Sequence, residues 1–103
     1  MQEKYFILDS NERPKEVSET EHNAWAKANA EKYNESWQRK DGTKSISLTF
    51  QGIQKHGGEL ILFNVHALFS DTHGHVITEK DDMFDDYEEA KEHYEFKVYK
   101  SGG

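Results

Sequence analysis

The stretch ELILFNVHALF, residues 59–69, decides the fold. Residues two apart on a strand share a face of the sheet. One face of this stretch carries only apolar residues: Ile61, Phe63, Val65, Ala67 and Phe69. The other face reads Leu60, Leu62, Asn64, His66 and Leu68. A strand with apolar residues on both faces is typical of the centre of a sheet, so we expect this one to be central and helices to cover its odd-numbered face.

Further strands are predicted on both sides of this central strand. SISLTFQ, residues 45–51, alternates apolar and polar side chains, which indicates one buried and one polar face. Asp41-Gly42 predicts a tight type I′ turn that joins this strand to an earlier one. KHGG, residues 55–58, predicts the turn into the central strand, and HVITEK, residues 75–80, a fourth strand. YFILD, residues 5–9, predicts a short N-terminal edge strand.

Two helices are predicted by capping boxes. Ser18 followed by Glu21 predicts a helix that begins near Glu19, and Asp86 followed by Glu89 predicts a second near the C-terminus. The expected fold class is therefore α+β: a four-stranded antiparallel β-meander flanked by an N-terminal and a C-terminal helix. We expect residues 1–103 to form a single domain, because this length suits one hydrophobic core.

Composition narrows the function classes. The net charge of −7 opposes direct binding to nucleic-acid phosphates. The absence of cysteine excludes thiolate nucleophiles and cysteine-ligated zinc. No apolar run reaches membrane-spanning length, and we expect a cytoplasmic protein with no membrane partner.

An acidic segment, EKDDMFDDYEE, is the most unusual feature of the chain. We expect a solvated loop that leads into the acidic start of a helix, where the helix dipole favours carboxylates. The functional hypothesis is a docking surface for a host protein with a basic surface, since long-range attraction speeds such binding. The predicted partner-binding residues are Glu79, Asp81, Asp82, Asp85, Asp86, Glu88 and Glu89.

An alternative hypothesis is a ligand-binding module that sequesters a small molecule or nucleotide. Asn64 and His66 fall on the less apolar face of the central strand, and Lys55 lies in the turn before it. These three residues are the candidate ligand-binding groups, on a sheet face that we expect to be open or covered by a second subunit in a homodimer.

Three further histidines are interpreted structurally. In DTHGH, Asp71 and Gly74 have the residue chemistry of a strand-to-strand turn, which we favour over a metal site at His73 and His75. His93, on the packed edge of the last helix, is expected to bridge helix and sheet by a hydrogen bond. We therefore predict no catalytic residues, no metal and no cofactor, and a protein that is not an enzyme.

Five pieces of the sequence form a recurring layout between Tyr5 and Glu95: YFILDSNERPKEV, AWAKA, ISLTFQGI, HGGELILFNVHALF and DDYEEAKEHYE. In these pieces the chain resembles a family of short proteins encoded by bacteriophages and prophages. The chain departs from the family pattern at Gln54-Lys55, Glu59-Leu60 and Asn64-Val65, and keeps its late helical histidine at His93. The resemblance implies a phage accessory protein in the host cytoplasm, with a host-interaction or counter-defence role, but it supplies no particular activity to carry over to this chain.

Overall fold

A computed structural model describes residues 3–102, within which the chain forms six strands and two helices. Their bounds in chain order are β1 Lys4–Leu8, β2 Pro14–Val17, α1 Glu19–Tyr33, β3 Glu35–Gln38, β4 Lys44–Gln54, β5 Leu60–Ser70, β6 Val76–Phe84 and α2 Tyr87–Lys100. Within this part of the chain, neither helix is long and apolar enough to cross a membrane.

All strands join one antiparallel sheet in the order β2-β1-β4-β5-β6, with β3 also paired to β4. The α+β class and the antiparallel sheet are therefore confirmed, and the central place of β5 follows from its pairing with β4 on one edge and β6 on the other. The N-terminal strand is not an edge strand, because β2 and β4 both pair with β1. The prediction missed β2, which places Pro14 on the outermost strand, where its missing N–H costs no ladder bond.

One edge of β4 serves two partners, and a β-bulge separates them. Ser45–Leu48 pairs with β3, while Ile53 and Gln54 pair with β1. The register against β5 shifts between Phe50 and Ile53. Gly52 lies in this bulge with a φ of +61°, in the left-handed region that glycine adopts without strain.

The core lies between one face of the sheet and the two helices. Phe63 and Val65 of β5 are fully buried in the same cluster as Tyr33 of α1 and Ala90 and Tyr94 of α2. The helices thus cover the odd-numbered face of β5, as the sequence predicts. Aromatic pairs supply much of this contact: the Phe63 ring lies with its centroid 6.0 Å from Tyr33, 5.5 Å from Phe50 and 5.2 Å from Tyr87.

Both helices begin where their capping boxes predict. Ser18 accepts a hydrogen bond from the backbone N–H of Glu21, and Asp86 accepts one from Glu89. These side chains satisfy amide groups that have no partner within the helix. Lys91 of α2 also forms an ion pair with Glu35 of β3, which ties the helix to that strand.

Two loop predictions need correction. The type I′ turn at Asp41-Gly42 is wrong, because that turn requires positive φ at both residues and only Gly42, at +76°, has it. The loop is longer, and Asp41 closes it by accepting hydrogen bonds from the N–H and the hydroxyl of Thr43. The solvated loop expected after Lys80 is also wrong, since residues 81–84 continue β6 beside β5.

Candidate functional site

The pairing of β5 with β6 places polar side chains on the sheet face opposite the helices, here called the open face. His66 lies across from Asp81, and Asn64 lies across from Met83. Because side chains alternate along β6, Glu79 and Asp81 share this face, while Asp82 projects to the helix side. The spacing of Glu79 and Asp81 is the sequence signal for this cluster, and it becomes visible only once the predicted strand is extended beyond Lys80 to Phe84.

Asp81 organises the side chains of the open face. Its Oδ1 accepts a hydrogen bond from Asn64 Nδ2 at 3.0 Å and one from His66 Nδ1 at 2.7 Å. The hydrogen bonds from Asn64 and His66 hold the pKa of Asp81 below its ordinary value. Because a carboxylate oxygen accepts, Nδ1 of His66 is the donor in this contact. The other ring nitrogen, Nε2, lies 3.4 Å from Glu79 Oε1.

This arrangement has limited chemical options. Candidate ligand atoms of His66, Glu79 and Asp81 all lie within 4.8 Å of one another, which is close enough for a shared cation. Ser47 lies across from His66 on β4, so serine, histidine and aspartate form one row across the sheet. Nε2 of His66 nevertheless faces the Glu79 carboxylate, whereas an acyl-transfer triad directs that atom to the serine hydroxyl.

The seven acids predicted to bind a partner do not share one face. Glu79 and Asp81 lie on the open face, whereas Asp85, Asp86, Glu88 and Glu89 lie where β6 ends and α2 begins. These six residues are exposed. The side of β6 that does not pair with β5 has no strand partner in the described residues and is here called the free edge of β6.

Asp82 differs from the other acids because His93, Lys97 and Lys80 surround it on the helix side. Its Oδ2 lies 2.8 Å from Nε2 of His93 and 3.8 Å from Nζ of Lys97, and its Oδ1 lies 3.7 Å from Nζ of Lys80. Burial raises the pKa of Asp82, but the hydrogen bond from His93 and the charge of Lys80 outweigh it and lower the pKa. His93 thus bridges α2 and the sheet as predicted, and Asp82 is not free to bind a partner.

The three residues of the alternative ligand site do not converge. Asn64 and His66 lie together on the open face, but Lys55 lies in the turn beyond Gln54, which pairs with Leu60. At about 3.4 Å per residue along a strand, Lys55 lies roughly 15 Å from Asn64. Among the described residues, the charged groups beside His66 on the open face are thus the carboxylates of Glu79 and Asp81.

The DTHGH segment is a turn. Asp71 Oδ1 accepts hydrogen bonds from the backbone N–H groups of His73 and His75, and Gly74 has a φ of +85°. The His73 and His75 rings lie 6.4 Å apart between centroids, and neither belongs to the cation cluster found in the described residues.

Sequence reasoning overlooked two other groups. His22 is buried between Tyr5 and Phe50 and makes a hydrogen bond to the carbonyl of Phe6, which is a structural role. A cavity between α2 and the sheet is lined by lysines that lie far apart in the sequence, and no local motif marks it.

Comparisons of the chain with protein-family models, with curated proteins and with solved structures find no match.

Proposed function

We propose that the protein is a non-enzymatic binding module that holds a basic, extended segment of a host protein along the free edge of β6. The observation that carries the proposal is a nine-residue outer strand that has two exposed acids, Glu79 and Asp81, and leads into four more between its end and the first turn of α2. An unpaired strand edge offers N–H and C=O groups to a further strand, and this is an established mode of peptide recognition.

Charge supports a basic partner. The carboxylates of Glu79 and Asp81 beside the edge, and of Asp85, Glu88 and Glu89 at its end, are exposed. Exposed carboxylates attract a cationic segment over about 8–10 Å at moderate ionic strength and so accelerate encounter. Asp86 adds charge, although its carboxylate also caps α2.

Apolar side chains along the same strand provide contact area. Val76 and Ile77 are each 57% exposed, and Met83 is 53% exposed. Since successive residues of a strand face opposite sides, these groups provide apolar contacts on both sides of an added strand. A segment that alternates lysine with a branched apolar residue fits this pattern.

The charge pattern also argues against pairing between two copies of β6. Antiparallel self-pairing brings the acids of one copy close to those of the other, and like charges across strands are destabilising. Lys80 on the strand is a further feature by which natural edges avoid self-association. A different, basic protein is the better occupant, and the resemblance to phage proteins supports a host protein in the cytoplasm.

The test uses a fluorescent peptide of about eight residues that alternates lysine and valine. The variant Glu79→Gln/Asp85→Asn/Glu88→Gln lowers the negative charge at the edge. It leaves the Asp81 network and the Asp86 cap intact. We expect about a tenfold loss of affinity by fluorescence anisotropy, since each exposed pair contributes about 0.2–1 kcal/mol.

A matched control removes the same charge elsewhere. Glu16→Gln/Glu19→Gln/Glu31→Gln changes three exposed acids of β2 and α1. We expect this control to bind like the original protein. Equal loss in both triple variants, or in neither, contradicts binding at the β6 edge.

A second candidate function is binding of a small ligand on the open face, and one atom favours it. Oδ1 of Asn64 is buried without a hydrogen-bond partner in the described structure, and such an atom is costly unless something satisfies it. With Glu79 and Asp81 close by and Lys55 distant, this site suits a neutral or cationic ligand. A ligand bound there raises the melting temperature of the protein but not that of an Asn64→Ala variant.

A further inference from the structure

The helix side of the sheet contains a cavity of about 400 Å³ between the second half of α2 and strands β4 and β5. This volume lies within the range of small-molecule sites, which is about 300–1,000 Å³. Its floor is apolar, formed by the buried Ile46 and by Ala67. Its walls carry Lys44, Lys97 and Lys100 together with His93, Phe96 and Ser101.

Three lysines around one cavity are unexpected in a chain of net charge −7. Lys97 lies near Asp82, with 3.8 Å between Nζ and Oδ2. In the described part of the chain, Lys44 and Lys100 form no ion pair with a carboxylate. The cavity thus keeps two ammonium groups whose charge is available to a ligand.

The helix dipole explains only part of this cluster. Lys97 and Lys100 lie in the last turn of α2, where cations stabilise the partial negative charge of the helix end. Lys44 comes from the first position of β4 and has no such role. Its place in the same cavity is therefore better explained by an anion.

The aromatic side chain of Phe96 indicates a second property of the ligand. Phe96 lines the cavity and is 58% exposed, which is unusual for a phenyl ring on a helix. The Nζ of Lys100 lies 5.3 Å from the centre of that ring, so charge and an aromatic face are adjacent. His93 is held in place by Asp82, which orients the imidazole at the wall.

We propose that this cavity binds a small molecule that carries a phosphate next to a planar ring, a mononucleotide being the simplest example. A phosphate has up to two charges and three acceptor oxygens, which suits several lysine donors around one space. The planar ring stacks on Phe96 over the apolar floor.

A single-stranded nucleic acid also carries a phosphate next to a planar ring, but it suits this cavity less well than a mononucleotide does. Glu89 and Glu92 line the adjoining surface on the other side of Phe96 and His93. A long polyanion that enters the lysine cavity meets these acids and the general negative charge, whereas one mononucleotide avoids them.

The test follows amide signals of the isotope-labelled protein by nuclear magnetic resonance during titration with AMP, adenosine and inorganic phosphate. We expect AMP to shift the signals of Ile46, Ala67 and Phe96, and to bind more tightly than phosphate or adenosine alone. Absence of shifts at these positions at millimolar AMP overturns the proposal. Tighter binding of a single-stranded oligonucleotide than of AMP also overturns it.

Paired variants identify the groups responsible. Lys44→Gln/Lys100→Gln should weaken AMP binding about tenfold or more, because two charge-assisted contacts are lost. The control Lys15→Gln/Lys27→Gln changes the net charge equally at exposed positions on β2 and α1 and should leave binding unchanged. Equal effects of the two pairs refute a defined site. Phe96→Leu should weaken AMP and leave phosphate unaffected.

Discussion

Replacement of Gly52 by alanine tests how the bulge in β4 holds the sheet together. Gly52 has a φ of +61°, which costs an L-residue about 1–2 kcal/mol. A Cβ atom at this position also lies 2.5 Å from the carbonyl oxygen of Phe6 and overlaps the ring of Phe50. Where the neighbouring atoms cannot move away, this overlap adds about 1–3 kcal/mol of destabilisation, as in an overpacked core.

The net effect is smaller than the sum, because alanine also restricts the unfolded chain by about 0.4–1 kcal/mol. We therefore expect Gly52→Ala to destabilise the protein by about 2–4 kcal/mol. At this chain length each kcal/mol lowers the melting temperature by about 4–8 °C. Equilibrium unfolding in urea, followed by the fluorescence of Trp25 and Trp37, measures the free energy.

Gly74→Ala is the matched control. Gly74 has a φ of +85°, but a Cβ atom there meets nothing within 4 Å. We expect a cost of about 0.5–1.5 kcal/mol, from backbone strain alone. If Gly52→Ala and Gly74→Ala destabilise equally, the close approach of β1 to the bulge does not matter and the reasoning is refuted.

Three further predictions concern the site and the core. Asn64→Ala should raise the pKa of Asp81, because it removes the first of the two hydrogen bonds that lower this pKa. The stability that this carboxylate contributes is present above its unfolded pKa and is lost as the pH falls through its lower folded pKa. Carboxyl titration by nuclear magnetic resonance should therefore show a higher midpoint in the variant, and an unchanged midpoint contradicts the assignment. Asp86→Ala should cost about 1 kcal/mol in urea unfolding and Asp86→Asn much less, since asparagine retains the cap; equal losses would show that charge matters more than the hydrogen bond. Phe63→Ala should cost about 3–5 kcal/mol, because the ring is fully buried, and a loss under 1 kcal/mol in the same assay would contradict the packing described.

The helices and the central strand were predictable because their signals are local. Ser18 and Asp86 cap helices within three residues of themselves, so the sequence nearby suffices. The alternation in β4, and the apolar residues on both faces of β5, report burial directly. These elements needed no knowledge of distant parts of the chain.

The second half of β6 and all of β2 were not predictable in this way. Residues 81 and 82 are both aspartate, a type that is depleted in strands, and pairing with β5 makes them extended. Pro14–Val17 is four residues long and becomes a strand by pairing with β1. Tertiary pairing outweighed local preference in both segments.

The candidate sites also combine features that the local sequence predicts with features that depend on tertiary contacts. Asn64 and His66 could be placed on one face from strand period alone, but their contact with Asp81 depends on the extension of β6. The lysine cavity joins residue 44 to residues 97 and 100, and only the packing of α2 on the sheet brings them together.

The most direct test of the proposed function is hydrogen exchange of the β6 backbone amides with and without the lysine–valine peptide. The free edge of β6 has no strand partner in the described residues, so its outward amides should exchange quickly in the free protein and slow markedly when the peptide adds as a strand. A peptide of equal charge with proline at alternate positions should give no protection, because proline cannot donate to the ladder. Protection of β6 that is the same with both peptides, or absent with both, contradicts the account.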